Sequence, residues 1–218
     1  MIAKKTESNW NLITTSNFNA IQKHCNSAIQ RTTLLGVVGY AGAGKTTALQ
    51  HYHEKNDNTY LVTCARAMKS KQFLSSILQA LDIYYLASDY EMCQKIIIEL
   101  KNKKGSLLII DEGSKLSPNA LMYLQDILDG IEGNSGIMIA GVEYLYENIK
   151  KSAEKNKVGM PEFFSRVAQW LELEPPTPKE IETICLNNGF TDKEKIKLIT
   201  RLNNFREVRN SIQNLKTA

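Results

Sequence analysis

Long apolar runs are missing from this sequence, and no stretch approaches the roughly 18 apolar residues that a membrane-spanning helix needs. The opening stretch, Met1 to Asn11, is polar and holds no apolar core of the kind that directs secretion. Cysteine is scarce: Cys25, Cys64, Cys93 and Cys185 are far apart and show no metal-type spacing, which fits buried free thiols in a reducing cytoplasm. The three histidines, His24, His51 and His53, form no ligand pattern. His51 and His53 are two apart and would point to different faces of a helix. Neither sign of charge dominates, with 27 Lys and Arg against 23 Asp and Glu, a net charge of +4. Such a balance permits a nucleic-acid partner without demanding one.

What is present is an ordinary globular composition, 43% hydrophobic and 23% charged, so disorder is not the default reading. A chain of 218 residues holds one sizeable core, or one core plus a small appended domain. Phe18, Ile21, Cys25, Ala28 and Ile29 recur at helical spacing and predict a helix near 17–30. Leu34–Val38 is a short apolar run that suits a buried strand, followed by a glycine-rich turn and a helix over 45–54. Thr59–Thr63 reads as a second strand, and the stripes at Phe73–Leu81 and Met92–Leu100 as helices near 70–81 and 89–101. Leu107–Ile110, Gly136–Ala140 and Val167–Leu173 complete the strands, with Ser117-Pro118 starting a helix between the first two. Strands that are apolar throughout and alternate with helices indicate an α/β fold, a parallel sheet covered on both faces.

Composition changes at Glu174–Pro178, where three prolines in four residues stop the last strand. Thr177-Pro178-Lys179-Glu180 is a capping box with proline at the first helical position, and Thr191–Glu194 is a second capping box. Residues beyond 176 therefore read as a small all-helical lid with helices near 178–187, 192–201 and 205–216. The expected organisation is an N-terminal arm over 1–15, an α/β nucleotide-binding core over 16–175 and the lid over 176–218.

Two motifs carry chemistry. Gly39-Tyr40-Ala41-Gly42-Ala43-Gly44-Lys45-Thr46 fits the phosphate-loop pattern at every fixed position, with Thr47 continuing into the helix. Glycines let backbone N–H groups turn toward phosphates, and the following helix adds its N-terminal dipole. Lys45 is suited to the β- and γ-phosphates of ATP, and the Thr46 hydroxyl to Mg²⁺. The second motif, Leu107–Glu112, is a buried strand ending in Asp111, a carboxylate for the same Mg²⁺. Glu112 beside it is the natural base to orient or deprotonate a water, which suits hydrolysis better than transfer to a small-molecule acceptor.

With Ser117–Leu128, Gly136–Gly141 and Phe163–Leu173 following in order, the chain resembles AAA+ ATPases over most of 15–212. More narrowly it resembles the transposition ATPases of the TnsC and Mu-phage B protein group. The segment Asp111–Leu121 is similar to that group's run of an acidic pair, a small residue, leucine and a helix. The resemblance implies a P-loop AAA+ core with a helical lid, and an ATPase. By position it implies that Arg166 is an arginine finger reaching a neighbour's γ-phosphate, and that Arg206 or Arg209, three apart on one helix, is the lid arginine that senses nucleotide. Arg206 is the preferred of the two. Two departures stand out. The polar sensor usual after the fourth strand is not at its expected place, where Val142 and Glu143 follow Gly141. There is also no room for the N-terminal DNA-binding helical domain of the Mu B type.

The resemblance further implies a homo-oligomeric ring or helical filament on double-stranded DNA, with a transposase as partner. Arg66, Lys69 and Lys71, after the second strand, are the expected backbone contacts, which would be sequence-tolerant and salt-sensitive. Lys101, Lys103 and Lys104 form another basic cluster, and no base-reading motif is present. Three other readings stay open: a helicase-loader or initiator-like ATPase, a P-loop small-molecule kinase, and a scaffold gated by nucleotide without useful turnover.

Overall fold

The computed structural model describes residues 10–217 and groups them into two compact units, one over 17–174 and one formed by 175–217 with residues 10–16. The larger unit begins in α1 (Ser16–Arg31) and continues through β1 (Leu34–Val38), α2 (Lys45–Lys55), β2 (Thr59–Thr63), α3 (Ser70–Ala80), α4 (Asp89–Asn102) and β3 (Leu107–Asp111). A single 3-10 turn (Gly113–Lys115) leads to α5 (Pro118–Gly130), β4 (Gly136–Gly141), α6 (Tyr144–Glu154), α7 (Met160–Arg166) and β5 (Val167–Glu172).

The five strands are all parallel, in the order β2-β3-β4-β1-β5. β1, β3 and β4 are buried at every residue. Alternation of side chains explains why they read as unbroken apolar runs. Leu108 and Ile110 join a core with residues of α3, α4 and α5, while Leu107 and Ile109 join one with residues of α1 and α2 on the other face. His24 belongs to this packing: its Nε2 lies 3.1 Å from the Gly36 carbonyl, and burial holds its pKa below the ordinary value.

β5 departs from the expected apolar strand. It lies at the sheet edge with Ala168, Gln169 and Glu172 exposed, because only one side of it is paired. Its register with β1 slips after Leu34↔Val167, so that Gln169 stands opposite Leu35 and Ala168 is the extra residue of a bulge.

α6 and α7 lie in a stretch, 142–166, for which the sequence pattern predicted no element. α6 buries only Leu145 and Ile149, four apart, too narrow a stripe to stand out amid its charged neighbours.

In the smaller unit α8 (Pro178–Asn187), α9 (Lys193–Ile199) and α10 (Phe205–Thr217) enclose Ile181, Cys185, Phe190, Val208 and Ile212. The Thr177–Glu180 capping box forms as expected. The second one does not. Asp192, not Thr191, caps α9, its carboxylate accepting from the Lys195 N–H at 3.1 Å, because an acidic side chain one residue later satisfies the same helix end. Residues 10–16 are packed rather than free-standing. Trp10 and Ile13 cover the helical core, and the Asn11 N–H donates to Asn188 Oδ1 at 2.9 Å. Among the described residues no helix is long and apolar enough to cross a membrane.

Candidate nucleotide-binding site

Parallel strands present their carboxyl ends together, and the candidate residues gather there. β1 ends at Val38, and the chain then turns through Gly39–Gly44 into α2. Gly42 and Gly44 have φ of 90° and 88°, the left-handed region that a side chain would strain. That turn aims the first turn of α2, with its positive dipole end, back along the loop. Lys45 is 9% exposed, and its ammonium donates to the Gly39 carbonyl at 2.6 Å and the Tyr40 carbonyl at 3.0 Å. It is thus held across the loop it belongs to. Tyr40, Ala41, Ala43 and Thr47 complete the turn and its exit, with Ala43 buried under it.

Asp111 closes β3. Its Oδ2 accepts from the Thr46 hydroxyl at 2.8 Å and its Oδ1 from the Glu112 N–H at 2.8 Å. Burial pushes its carboxyl above the ordinary range, partly offset by these two hydrogen bonds and by the Lys45 charge. Glu112 leaves the strand in a left-handed conformation, φ 57°, and its carboxylate stands 3.3 Å from the Lys115 ammonium. Gly113 is required next, because a β-carbon there would lie 2.6 Å from Ile139 Cγ1. A hydroxyl and a buried carboxylate side by side are hard oxygen donors that fit a small divalent cation such as Mg²⁺.

Beyond Gly141, Val142 is half-buried and Glu143 is exposed at the start of α6. The backbone N of Ser114 lies 3.2 Å from where a β-carbon of Gly141 would stand. Its hydroxyl is buried without a hydrogen-bond partner.

Arg166 is elsewhere. The register Leu34↔Val167 puts it at the amino end of β1. The phosphate loop leaves the carboxyl end, five residues or about 16 Å away at strand rise. Its guanidinium is half-exposed and forked onto Asp129, at 3.1 and 3.2 Å. Arg66, Lys69 and Lys71 are exposed beyond β2, at the carboxyl end of the strands like the phosphate loop but three strands away from β1. Lys101 and Lys104 are exposed at the amino end of the strands, near Lys103, which lies over the Tyr60 ring at 4.8 Å. Arg206 and Arg209 are both exposed on α10, with the Arg209 guanidinium 5.4 Å from the Trp10 ring centroid. Sequence reasoning passed over Lys115, Ser114 and Trp10. Only the 3-10 turn and the course of residues 10–16 reveal their neighbours.

A family profile described as an AAA domain matches residues 29–149, more than half the chain. The Mu-like prophage FluMu DNA transposition protein B of Haemophilus influenzae is 27% identical over 172 residues, covering 76% of this chain and 58% of that protein. Among solved structures, the Aeropyrum pernix ORC2 protein in its ADPNP-ADP complexes matches with a TM-score of 0.70 at 15% identity, covering 98% of this chain and 64% of that one. AMPPCP-bound DnaA from Aquifex aeolicus matches with a TM-score of 0.58 at 16% identity, covering 96% and 66%. At such identities these likenesses show the fold alone. The chain spans less than two thirds of the length of each of these relatives.

Proposed function

This chain belongs to the AAA-domain family, and from that premise we propose that it is an ATP-hydrolysing regulator of transposition that assembles on duplex DNA. The observation that carries the ATPase part is the 2.8 Å bond between Thr46 and Asp111, which unites the phosphate loop with the end of β3. Lys45 exchanges its loop carbonyls for the β- and γ-phosphates of ATP. Thr46 and Asp111 together would hold Mg²⁺, which would neutralise charge on the phosphates. Glu112 orients the attacking water and accepts its proton. Arg166, a strand length from its own phosphate loop, serves the site of a neighbouring subunit in a ring or filament. The lid arginine Arg206 responds to nucleotide.

The DNA part rests on the exposed Arg66, Lys69 and Lys71 at the same carboxyl end of the strands. The transposition part rests on the similarity to the prophage transposition protein B. ATP favours the assembled state only through its tighter binding there, so hydrolysis dismantles the assembly. A transposase is the partner that such an assembly recruits or activates in the cytoplasm. A second reading, an initiator-like ATPase or helicase loader, is equally compatible with the fold this chain shares with ORC2 and DnaA.

The deciding experiment is duplex-DNA binding with ATP, with ADP and without nucleotide across a salt series, with particle imaging, for the wild-type chain and Lys45→Ala. ATP-dependent, salt-sensitive assemblies that Lys45→Ala cannot form are expected. ATP binding with no DNA affinity at any salt sinks the proposal and moves the weight to a kinase or a nucleotide-gated scaffold. Capture of a replicative helicase instead of a transposase selects the second reading.

A further inference from the structure

The larger unit exposes seven large apolar side chains among its described residues, and five of them lie within residues 84–98. Tyr84 and Leu86, 93% and 78% exposed, stand on the connection from α3 to α4. Ile83 and Ala87 beside them pack inward against the core, which fixes the course of that connection. Tyr90 and Ile98, 72% and 52% exposed, stand on α4 itself. With the exposed Gln94 between them they are spaced four apart, a row about 12 Å long at helical rise. The core uses another face of α4, where Met92, Ile96 and Leu100 are buried. Folding of the unit therefore does not account for an isoleucine and three tyrosines left in water.

Charge marks the same stretch. The whole chain carries +4, yet residues 82–99 hold four carboxylates, Asp82, Asp89, Glu91 and Glu99, against one cation, Lys95. Glu99 takes up that cation at 2.7 Å. The patch is also rigid at its start. Ser88 and Glu91 close a capping box on α4, and the Tyr123 hydroxyl of α5 donates to Asp89 at 2.8 Å. A face held in place before a partner arrives loses little freedom on binding it.

We infer that the face formed by residues 84–98 is a docking site for a basic amphipathic helix of another protein. A row of side chains four apart on α4 is a ridge against which a second helix can lay its own apolar row. Exposed tyrosines are efficient anchors at such interfaces. The carboxylates around the row call for lysines or arginines flanking the apolar side of the incoming helix. The same carboxylates repel phosphodiesters, so this face is separate in kind from the basic segment Arg66–Lys71. The inference stands apart from the reading of the nucleotide site.

The test is fluorescence anisotropy of three labelled short peptides with the whole chain, without DNA. One peptide places leucine and lysine at helical period, one has the same composition in scrambled order, and one replaces lysine by glutamate. The wild type is expected to bind the periodic lysine peptide about tenfold or more tightly than either control, and Tyr90→Gln with Ile98→Gln to lose about that factor. Tyr84→Ser with Leu86→Ser, outside the helix, is expected to weaken binding in the same direction. Asp82→Asn is expected to weaken it about two- to fivefold at low salt and not at high salt. Val158→Ser, at an apolar side chain 97% exposed elsewhere in the unit, leaves binding unchanged. Both double variants alter exposed side chains, so the Tm stays at the wild-type value. Equal binding of the three peptides, or full affinity in both double variants, overturns the inference. Peptide-free sedimentation in which the wild type self-associates and the double variants do not assigns the face to a second copy of this chain and overturns it as well. Loss of duplex-DNA binding in the double variants assigns the face to nucleic acid, with the same consequence.

Discussion

Thr46, in the first turn of α2, donates a 2.8 Å hydrogen bond to Asp111 at the end of β3, although β1, which leads into that turn, and β3 are not neighbours: β4 lies between them. The bond spans the carboxyl end of β4 and places a hydroxyl beside a carboxylate that is only 2% exposed. Burial raises the carboxyl of Asp111 above its ordinary value of 3.8. The folded state therefore holds the proton more tightly than the unfolded one. Stability linked to this group is fully present below the ordinary value and is lost as pH rises through the raised one. At neutral pH the bare carboxylate costs stability, a cost that a bound cation would offset.

Asp111→Asn removes that cost. The amide still accepts from the Glu112 N–H and can donate to the Thr46 oxygen. Thermal unfolding at neutral pH without ligand is expected at an equal or higher Tm than the wild type, with the difference closing toward pH 4. The stabilisation of the wild type by Mg²⁺ and ATP together is expected to vanish in the variant. A lower Tm combined with an unchanged ligand-induced shift would contradict this account.

Glu112→Gln keeps the shape of the turn and removes the proposed base. ATP affinity is expected to stay within about twofold, and turnover to fall by about 10²–10⁴, the usual worth of a positioned acid or base. Single-turnover hydrolysis measures this directly. Turnover at the wild-type rate would remove Glu112 from the chemistry.

Arg166→Ala breaks an exposed ion pair with Asp129, worth about 0–1 kcal/mol, so the Tm should barely move. Turnover is expected to fall by about 10³-fold or more if the guanidinium stabilises a neighbour's transition state. Mixing this variant with Lys45→Ala should restore part of the activity, because the first keeps an intact phosphate loop and the second supplies the arginine. No recovery at any mixing ratio would assign Arg166 a role within its own subunit.

Arg209 lies over Trp10, and a cation–π contact at an exposed site contributes about 0.5–1 kcal/mol. Arg209→Ala and Trp10→Ala are each expected to lower the Tm slightly, and the double variant by less than the sum. Arg206→Ala is expected to spare the Tm and weaken the response to ATP by about tenfold or more, as loss of a charge-assisted hydrogen bond does. Additive losses at Trp10 and Arg209 would show that the ring and the guanidinium do not support each other.

The elements were largely legible because their signals are local. The run Leu107–Ile110 is apolar on both faces of the chain, and Ser117-Pro118 carries its own cap and helix start. α6 was not legible, since Leu145 and Ile149 are its only buried residues and many loops show as much. The cap of α9 lies one residue beyond the expected Thr191, because Thr191 and Asp192 are both competent caps. Only the packed chain selects between them.

By itself the sequence determined the phosphate-loop turn, the acidic pair ending β3 and the alternation of strand and helix. Each follows from side-chain chemistry within a few residues: glycines that accept positive φ, β-branched and aliphatic runs, capping hydroxyls. The tertiary structure alone decided the strand order and register. An apolar run suits any interior place in a parallel sheet, and only the joint packing of distant helices chooses one. That choice brings Thr46 to Asp111 over the end of β4, sends Arg166 to the far edge beside Asp129, and lays Trp10 against Arg209.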